Sequence, residues 1–492
     1  MWLRAAVAQS LVHLRWQART HASGRRMANR RFVSHKSSSI HLIAEQLCTA
    51  EASSTRTMAL AHRFCEQYDQ MESRDRLGFI DRLISECGID HDQLSKAANR
   101  YVLIEDHSQR EAVADKLRRL ATPRFTNLIL AIGNLRDGVN FVLKWRAELM
   151  ALQSDSATDA VQLANLRVLD SHLQRALCCW FTTGLLELQR ITWQSSSDIL
   201  EKISTHEAVH PIRNWEDLRR RVGPCRRCYV FTHSATQRAP LVVLHVALTN
   251  KIETKIADVI DTKRELDVAH EPNCSTAIFY SISNAHSGLR GVDLGNHLIK
   301  RAVQELSTQL PNIRTFSTLS PIPGFGRWLR AALKTDPDRI LSGPIRSYLT
   351  DRLGHSDVVT VLRDQICASI RWHQNETLAS SLRPVLMHLC AKYLCEQKRR
   401  GFALDSVANF HLRNGSSLHQ LNYDADLSAR ALRNSCGMMV NYLYEIETLE
   451  SNSQRYFVGK TMVVQENVQK IADSFEFALR LCDSETVPKS KL

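Results

Sequence analysis

The residues best spaced for chemistry lie between positions 276 and 324. A loop reads Asn284-Ala-His-Ser-Gly-Leu-Arg-Gly-Val-Asp-Leu-Gly295, with glycines at 288, 291 and 295, and Ser320 follows in Phe316-Ser-Thr-Leu-Ser-Pro-Ile-Pro-Gly324. Glycines let a backbone approach an anion closely, and the start of a helix offers N–H groups that no residue of the helix accepts. Successive N–H groups of that kind form a nest for phosphate. The spacing Gly288-x-x-Gly291-x-x-x-Gly295 is not the GxGxxG of a dinucleotide fold, and the Gly-Lys-Ser/Thr ending of a nucleotide loop is missing. Taken alone, the loop reads equally well as an ordinary turn ahead of a helix.

The elements around the loop can be placed from pattern. Residues 276–283, Thr-Ala-Ile-Phe-Tyr-Ser-Ile-Ser, form a continuous apolar and β-branched run, which predicts a buried strand. After the loop, Leu294, Leu298, Ile299, Ala302, Val303 and Leu306 recur at helical spacing and give one apolar face. Residues 316–319 predict a second strand, with Ser320 just past its end and Pro321 and Pro323 stiffening the turn. The order is strand, glycine loop, helix, strand. Upstream, 227–232 and 241–248 predict a hairpin across the polar turn 233–240. Downstream, helices are expected over 328–334, 356–372 and 384–398, the last with Pro384 in its first turn.

Residues 38–185 are different in kind. They hold a single proline, Pro123, whereas eleven of the twelve prolines lie beyond residue 210. Apolar residues at helical spacing, such as Leu77, Ile80, Leu83 and Ile84, predict an all-α bundle of seven or eight helices. The fold class expected is therefore α+β: a helical bundle over 38–185, then a mixed α/β domain with a largely antiparallel sheet over 186–489. The 492 residues fit two domains better than one core.

The net charge of +13 points first to nucleic acid, but the first 44 residues carry eight Arg and Lys and no Asp or Glu, so the remainder holds only +5 (13 minus 8). With its Ser and Ala content and the helical spacing of Trp2, Leu3, Val7, Leu11 and Leu14, the segment 1–37 reads as a mitochondrial transit peptide. Initiation at Met27 would remove much of it. Ser490-Lys491-Leu492 at the C-terminus reads as a peroxisomal signal. The expected locations are the mitochondrial matrix and the peroxisome, with the cytoplasm as a third. No nucleic-acid partner and no membrane span are expected, since no window approaches the ~20 apolar residues a span requires. Thirteen cysteines without framework spacing suggest reduced thiols. Cys225-Arg-Arg-Cys228 has no second pair at zinc spacing, so no metal site is expected.

Several runs together resemble one family. Tyr280-Ser-Ile-Ser, Gly288-Leu-Arg-Gly-Val-Asp-Leu-Gly295, Leu298-Ile-Lys-Arg301, Phe316-Ser-Thr-Leu-Ser-Pro-Ile-Pro-Gly-Phe325 and Asn409-Phe-His-Leu-Arg-Asn-Gly415 are similar to malonyl-CoA decarboxylase. The resemblance covers residues 185–492 well and the helical region more weakly. It implies a catalytic domain of the acetyltransferase (GNAT-like) type, with the acyl-CoA diphosphate held by Arg290, Gly291, Val292, Asp293, Leu294, Gly295 and Asn296. It further implies that Ser320 and His411 are catalytic and touch substrate, with Tyr444 and Lys300 as lesser candidates. Malonyl-CoA carries its own electron sink, the thioester carbonyl, so no PLP, biotin or thiamine cofactor is expected. The enzyme would anchor the phosphates, stabilise the enolate oxygen and see the α-carbon protonated. Histidine as a residue type titrates near working pH, so His411 is expected either to donate a proton or to polarise an oxygen. A homo-oligomer assembled through the helical domain is expected. The rival readings are an acyl-CoA-dependent N-acyltransferase and a non-catalytic CoA-binding scaffold.

Overall fold

The structure, a computed structural model, describes residues 35–50, 54–155, 157–260, 268–355, 357–367 and 370–486. Nearly all of the basic leader 1–37, and the C-terminal tripeptide 490–492, lie outside the described residues. The chain divides into two compact units, 1–131 and 132–492.

The first unit is helical, with helices His35–Thr49, Thr55–Asp69, Ser73–Cys87, His91–Leu103 and His107–Leu120, and Phe125–Gly133 runs across the division. Three of these helices start at side chains that cap them. Ser54, Asp90 and Asp106 each accept the N–H three residues on, from Thr57, Gln93 and Gln109. The core is aromatic: buried Phe79 packs against Phe64 and Tyr68, with ring centroids 5.7 and 5.9 Å apart.

The second unit opens with helices α1 (Gly138–Gln153) and α2 (Ala160–Trp180). A capping box between Asp159 and Gln162 starts α2. With them the described residues hold eight α-helices between His35 and Trp180, as the apolar spacing predicts. The sheet then forms from β1 (Glu187–Ile191), β2 (Arg226–Thr232), β3 (Val242–Thr249), β4 (Thr276–Asn284), β5 (Thr315–Thr318) and β6 (Ser320–Pro321). Helix α3 (Leu294–Gln309) connects β4 to β5. Helices α4 (Phe325–Thr335), α5 (Glu376–Glu396) and α6 (Ser406–Arg413) follow, with the short ribbon β7 (Lys398–Arg399) and β8 (Phe402–Ala403) between α5 and α6. Strands β9 (Ser417–Asn422) and β10 (Met439–Leu443) return to the main sheet.

The strand order is β1-β2-β3-β4-β5-β10-β6, with β9 also on β10, and every pair is antiparallel except β4 with β5. This is a helical region followed by a mixed α/β domain, the class expected. Residues of β2, β3 and β4 are buried on both faces, which explains the apolar runs Cys228 to Phe231, Val242 to Leu244 and Ala277 to Tyr280.

One irregularity makes the site possible. β4 and β5 pair only from Thr276↔Thr315 to Phe279↔Thr318. Beyond that the two chains part, because Ser320 and Pro321 pair with Val440 and Met439 of β10 instead. At the same level β4 carries a bulge, where His245↔Ser281 is followed by Val246↔Phe279 and leaves Tyr280 unopposed. A parallel pair that splays in this way opens a crevice between its strands.

Two helices differ from expectation. α5 starts eight residues before Pro384, capped by the Asn375 side chain on the Leu378 N–H, and Pro384 lies inside it. An interior proline removes one helical hydrogen bond, a cost that burial of the surrounding apolar face offsets here. The single helix expected over 356–372 is broken into helix Val358–Leu362, a π turn Arg363–Cys367 and a 3₁₀ turn Arg371–Gln374. Its run Val358-Val-Thr-Val is β-branched and propagates a regular helix poorly.

Candidate active site

The crevice between β4 and β6 is a cavity of about 420 Å³. Its floor comes from β4, through Tyr280, Ser281 and Ile282. One wall is the glycine loop and the start of α3, through Gly291, Val292, Asp293 and Gly295; the facing wall is α6 with Ser320 and Pro321. Gly295 allows the walls to approach, because a Cβ there would sit 3.2 Å from the ring of Phe410 on α6.

The loop is anchored from behind. Its Gly288 carbonyl accepts from the buried Arg146 guanidinium of α1, whose Nε donates to Asp170 Oδ1 at 2.8 Å. The Gly291 carbonyl accepts from Gln174 Nε2 of α2 at 2.8 Å. Two loop carbonyls thus face the helices, and the Val292 and Leu294 N–H groups donate to the Leu289 and Val292 carbonyls, each at 2.9 Å. Gly291 has φ +79°, a conformation that would strain any side chain.

Ser320 and His411 meet, although 91 residues separate them. Ser320 Oγ lies 3.0 Å from His411 Nε2, and both line the cavity. Ser320 Oγ donates to Thr318 Oγ1 at 2.9 Å, and the same Oγ1 accepts the Tyr442 N–H at 3.1 Å. On the far side of the imidazole, His411 Nδ1 lies 2.8 Å from the Tyr444 hydroxyl. With the Ser320 proton directed at Thr318, the consistent assignment has Tyr444 donating to Nδ1 and Nε2–H donating to Ser320 Oγ. The ring also stacks on Tyr442, centroids 4.6 Å apart at 24°. Below this network Asn441 Nδ2 donates to the carbonyls of Thr318 and Glu253 at 2.6 and 3.0 Å, and Asn422 Nδ2 donates to Asn441 Oδ1. These buried amides fix β5, β9 and β10 in register under the pair.

Burial sets the electrostatics. His411 is 4% exposed, and desolvation pushes its pKa down to about 3. It is neutral throughout the physiological range. Of the two roles expected of a histidine, this environment favours polarising an oxygen with a neutral imidazole over donating from imidazolium. Burial likewise holds the Tyr444 phenol well above its ordinary value.

The other sequence candidates separate. Asp293 lines the cavity and is exposed, with no side-chain capping bond. Leu294 is buried in the core, Arg290 is exposed, and neither Asn296 nor Lys300 is among the cavity-lining residues. Lys300 lies 3.9 Å from the exposed Glu450. Tyr444 stands behind His411 rather than on the cavity wall. Sequence reasoning missed Thr318 and Tyr442, which hold the pair, and Arg413, a cation on the cavity wall. It also missed Glu207, whose buried carboxylate accepts from Ser281 Oγ at 2.7 and 2.8 Å under the floor. Arg413 was legible in the quoted run Asn409-Phe-His-Leu-Arg; Glu207 carries no local signal. Among the described residues no group of three or more His, Cys, Asp or Glu is placed to hold a metal, and no helix is long and apolar enough to cross a membrane.

Comparison with known proteins gives a consistent result. The family model described as malonyl-CoA decarboxylase C-terminal domain matches residues 184–480, and that of the N-terminal domain matches 87–181. A protein of Anser anser anser named "Malonyl-CoA decarboxylase, mitochondrial" is 38% identical over 425 residues, 84% of this chain and 83% of the relative. One of the same name from Rattus norvegicus is 38% identical over 416 residues, 82% of this chain and 83% of the relative. The crystal structure of malonyl-CoA decarboxylase from Rhodopseudomonas palustris is similar with TM-score 0.76 and 33% identity, covering 88% of this chain and 99% of that one.

Proposed function

Since the chain belongs to the malonyl-CoA decarboxylase family and acts as a carboxy-lyase on malonyl-CoA, we propose that Ser320 and His411 run the reaction in the crevice between β4 and β6. The observation that carries this reading is the 3.0 Å contact between Ser320 Oγ and His411 Nε2, on the cavity wall that faces the glycine loop.

The chemistry follows from the substrate. The bond between the α-carbon and the carboxylate breaks, CO2 leaves, and the electron pair moves into an enolate whose charge sits on the thioester oxygen. That oxygen enters between Ser320 and His411. The neutral imidazole offers Nε2–H, held in this tautomer by Tyr444 at Nδ1, and the Ser320 hydroxyl turns from Thr318 toward the oxygen. Donors already in place where charge develops are a large term in such reactions, worth ~10²–10³ in rate for one donor. A solvent proton arriving through the crevice then converts the enolate to acetyl-CoA. The diphosphate lies on the wall formed by Gly291, Asp293 and Gly295, supported by the loop anchoring described above; the Val292 and Leu294 N–H groups already donate to the Leu289 and Val292 carbonyls at 2.9 Å, and Asn296 lies off the wall.

Purified protein given malonyl-CoA alone tests the reading. Acetyl-CoA and CO2 without an acceptor support it; product only when an amine is added would indicate transfer, and binding without turnover a scaffold.

Three further proposals concern the whole chain. Residues 38–185 act as a packing and homo-oligomerisation element beside the catalytic segment 186–489, supported by the helical content of the former; light scattering of the full chain tests this. Residues 1–37 direct the protein to mitochondria, supported by composition and by the mitochondrial naming of the relatives. Ser490-Lys491-Leu492 directs a second pool to peroxisomes. Terminal fluorescent fusions, with and without each segment, distinguish the two addresses.

A further inference from the structure

The pair is built from two distant segments, so something must hold them in register. Ser320 leads into Pro321-Ile-Pro323-Gly324, a stiff turn ahead of α4. His411 sits on α6, which begins immediately after Asp405. Asp405 is 2% exposed, and both of its oxygens are occupied. Oδ1 accepts the N–H groups of Val407 and Ala408 at 2.9 and 3.1 Å, the first turn of α6. Oδ2 accepts the Gly324 N–H at 3.0 Å and the Tyr393 hydroxyl of α5 at 3.4 Å. The approach is close enough to require glycine: a Cβ on Gly324 would lie 3.1 Å from Asp405 Oδ2 and would collide with the Tyr393 hydroxyl.

We propose that Asp405 is a positioning residue for decarboxylation, one carboxylate that ties the helix bearing His411 to the turn bearing Ser320 and so sets their separation. This rests on the Ser320–His411 reading above. Asp405 is not among the cavity-lining residues, whereas its neighbours Ser406 and Val407 are, so it acts through the pair and not on substrate. An ordinary helix cap explains Oδ1 alone. The second oxygen, turned away from α6 onto Gly324, has no capping use. The lever is short. Three residues, two of them proline, separate Ser320 from Gly324, and six helical steps of ~1.5 Å each lead from Asp405 to His411. A misplacement of about 1 Å at reacting atoms costs on the order of 10²-fold in rate.

The clamp needs an ionised carboxylate. A protonated one presents O–H where Gly324 presents N–H. Burial raises the Asp405 carboxyl above its ordinary value, against the N–H groups of Ala408, Gly324 and Val407 that favour the anion. The other titratable groups around it are Tyr393 and Cys390 on α5 and Tyr442 on β10, with Arg327 of α4 near Tyr393. His411 itself is held neutral. With His411 held neutral, Asp405 is the group of this network whose protonation is expected to lower kcat on acidification.

The test uses the full-length enzyme with Asp405→Asn and Asp405→Ser. Asn and Ser both cap helices well. Asn turns an NH2 toward the Gly324 N–H, and Ser has no second oxygen. The expected result is a kcat for malonyl-CoA lowered about 10- to 100-fold, KM within about twofold, a near-native melting temperature and, in Asp405→Asn, loss of the acid limb of kcat. Tyr393→Phe, which removes one bond to Oδ2, lowers kcat by less and serves if the Asp405 variants fold poorly. Wild-type kcat in both Asp405 variants overturns the proposal. So does a fall in kcat that tracks loss of folded protein with the acid limb unmoved. Ser320→Ala measured alongside separates the two ideas: if it keeps full activity, the pair reading fails whatever Asp405 does. If it is impaired, the double variant Ser320→Ala/Asp405→Asn should be no worse than Ser320→Ala alone.

Discussion

Replacing Tyr444 with Phe isolates one atom of the proposed machinery. The ring is 2% exposed and packs edge-on against Phe279 and His411, centroids 6.3 and 6.1 Å away, so Phe keeps the packing. What is lost is the hydroxyl 2.8 Å from His411 Nδ1. Nδ1 is then a buried acceptor with no partner, a state that costs about 1–3 kcal/mol. The ring can relieve this by moving its proton to Nδ1, but Nε2 then becomes an acceptor and faces the enolate oxygen with a lone pair. Either outcome weakens the transition state more than substrate binding. A penalty of that size corresponds to about a 5- to 150-fold fall in kcat, with KM little changed. The assay is steady-state acetyl-CoA formation from malonyl-CoA on wild type and Tyr444→Phe, with melting temperatures as the control for folding. A variant that folds normally and matches wild-type kcat within about twofold would refute the role given to the Tyr444–His411 bond.

Ser320→Ala removes a donor to the enolate oxygen and is expected to lower kcat about 10²- to 10³-fold while leaving CoA affinity by calorimetry intact; a loss confined to affinity would move Ser320 out of the chemistry. Gly295→Ala puts a methyl 3.2 Å from the ring of Phe410, next to His411. The ring must give way, so a several-fold lower kcat and a stability loss of about 1–3 kcal/mol are expected in denaturant unfolding, and no change in either would show that the walls are not in tight contact. Burial drives His411 and His245 down to about 3 and about 4 from an ordinary 6.5, so at pH values between these the unfolded chain binds more protons than the native one. Well above pH 6.5 both states are neutral and there is no penalty; on acidification each histidine destabilises the native state, by about 2 kcal/mol between pH 6.5 and 5. Urea midpoints across that range should drop accordingly, with a shallower slope in His245→Gln; equal slopes would show that the buried imidazole is not held neutral.

Much of the scaffold was legible because its signals are local. β4 is buried on both faces and carries the apolar run Ala277 to Tyr280; α3 buries one face and shows helical spacing over Leu294 to Leu306. Ser320 was placed at a strand end ahead of a Pro-x-Pro turn, but its role came from the family resemblance. Strand β1, mostly exposed, and β9, largely buried but polar in text, carry weaker patterns, and Pro384 hid the true start of α5. Of the support of the site, only Tyr444 was singled out from the sequence. Thr318, Tyr442, Asp405 and Glu207 matter through contacts across long stretches of chain, and nothing in their immediate sequence distinguishes them. The charge state of His411 was equally hidden, because residue type gives a pKa near neutrality whereas burial in the fold gives one about 3.

The most direct measurement is a crystal structure of the full chain with a malonyl-CoA analogue that cannot lose CO2. A thioester-position oxygen is expected within about 3.2 Å of both Ser320 Oγ and His411 Nε2, with the diphosphate against the backbone of Gly291 to Gly295. An acyl group seated elsewhere, or a diphosphate outside that wall, would contradict this.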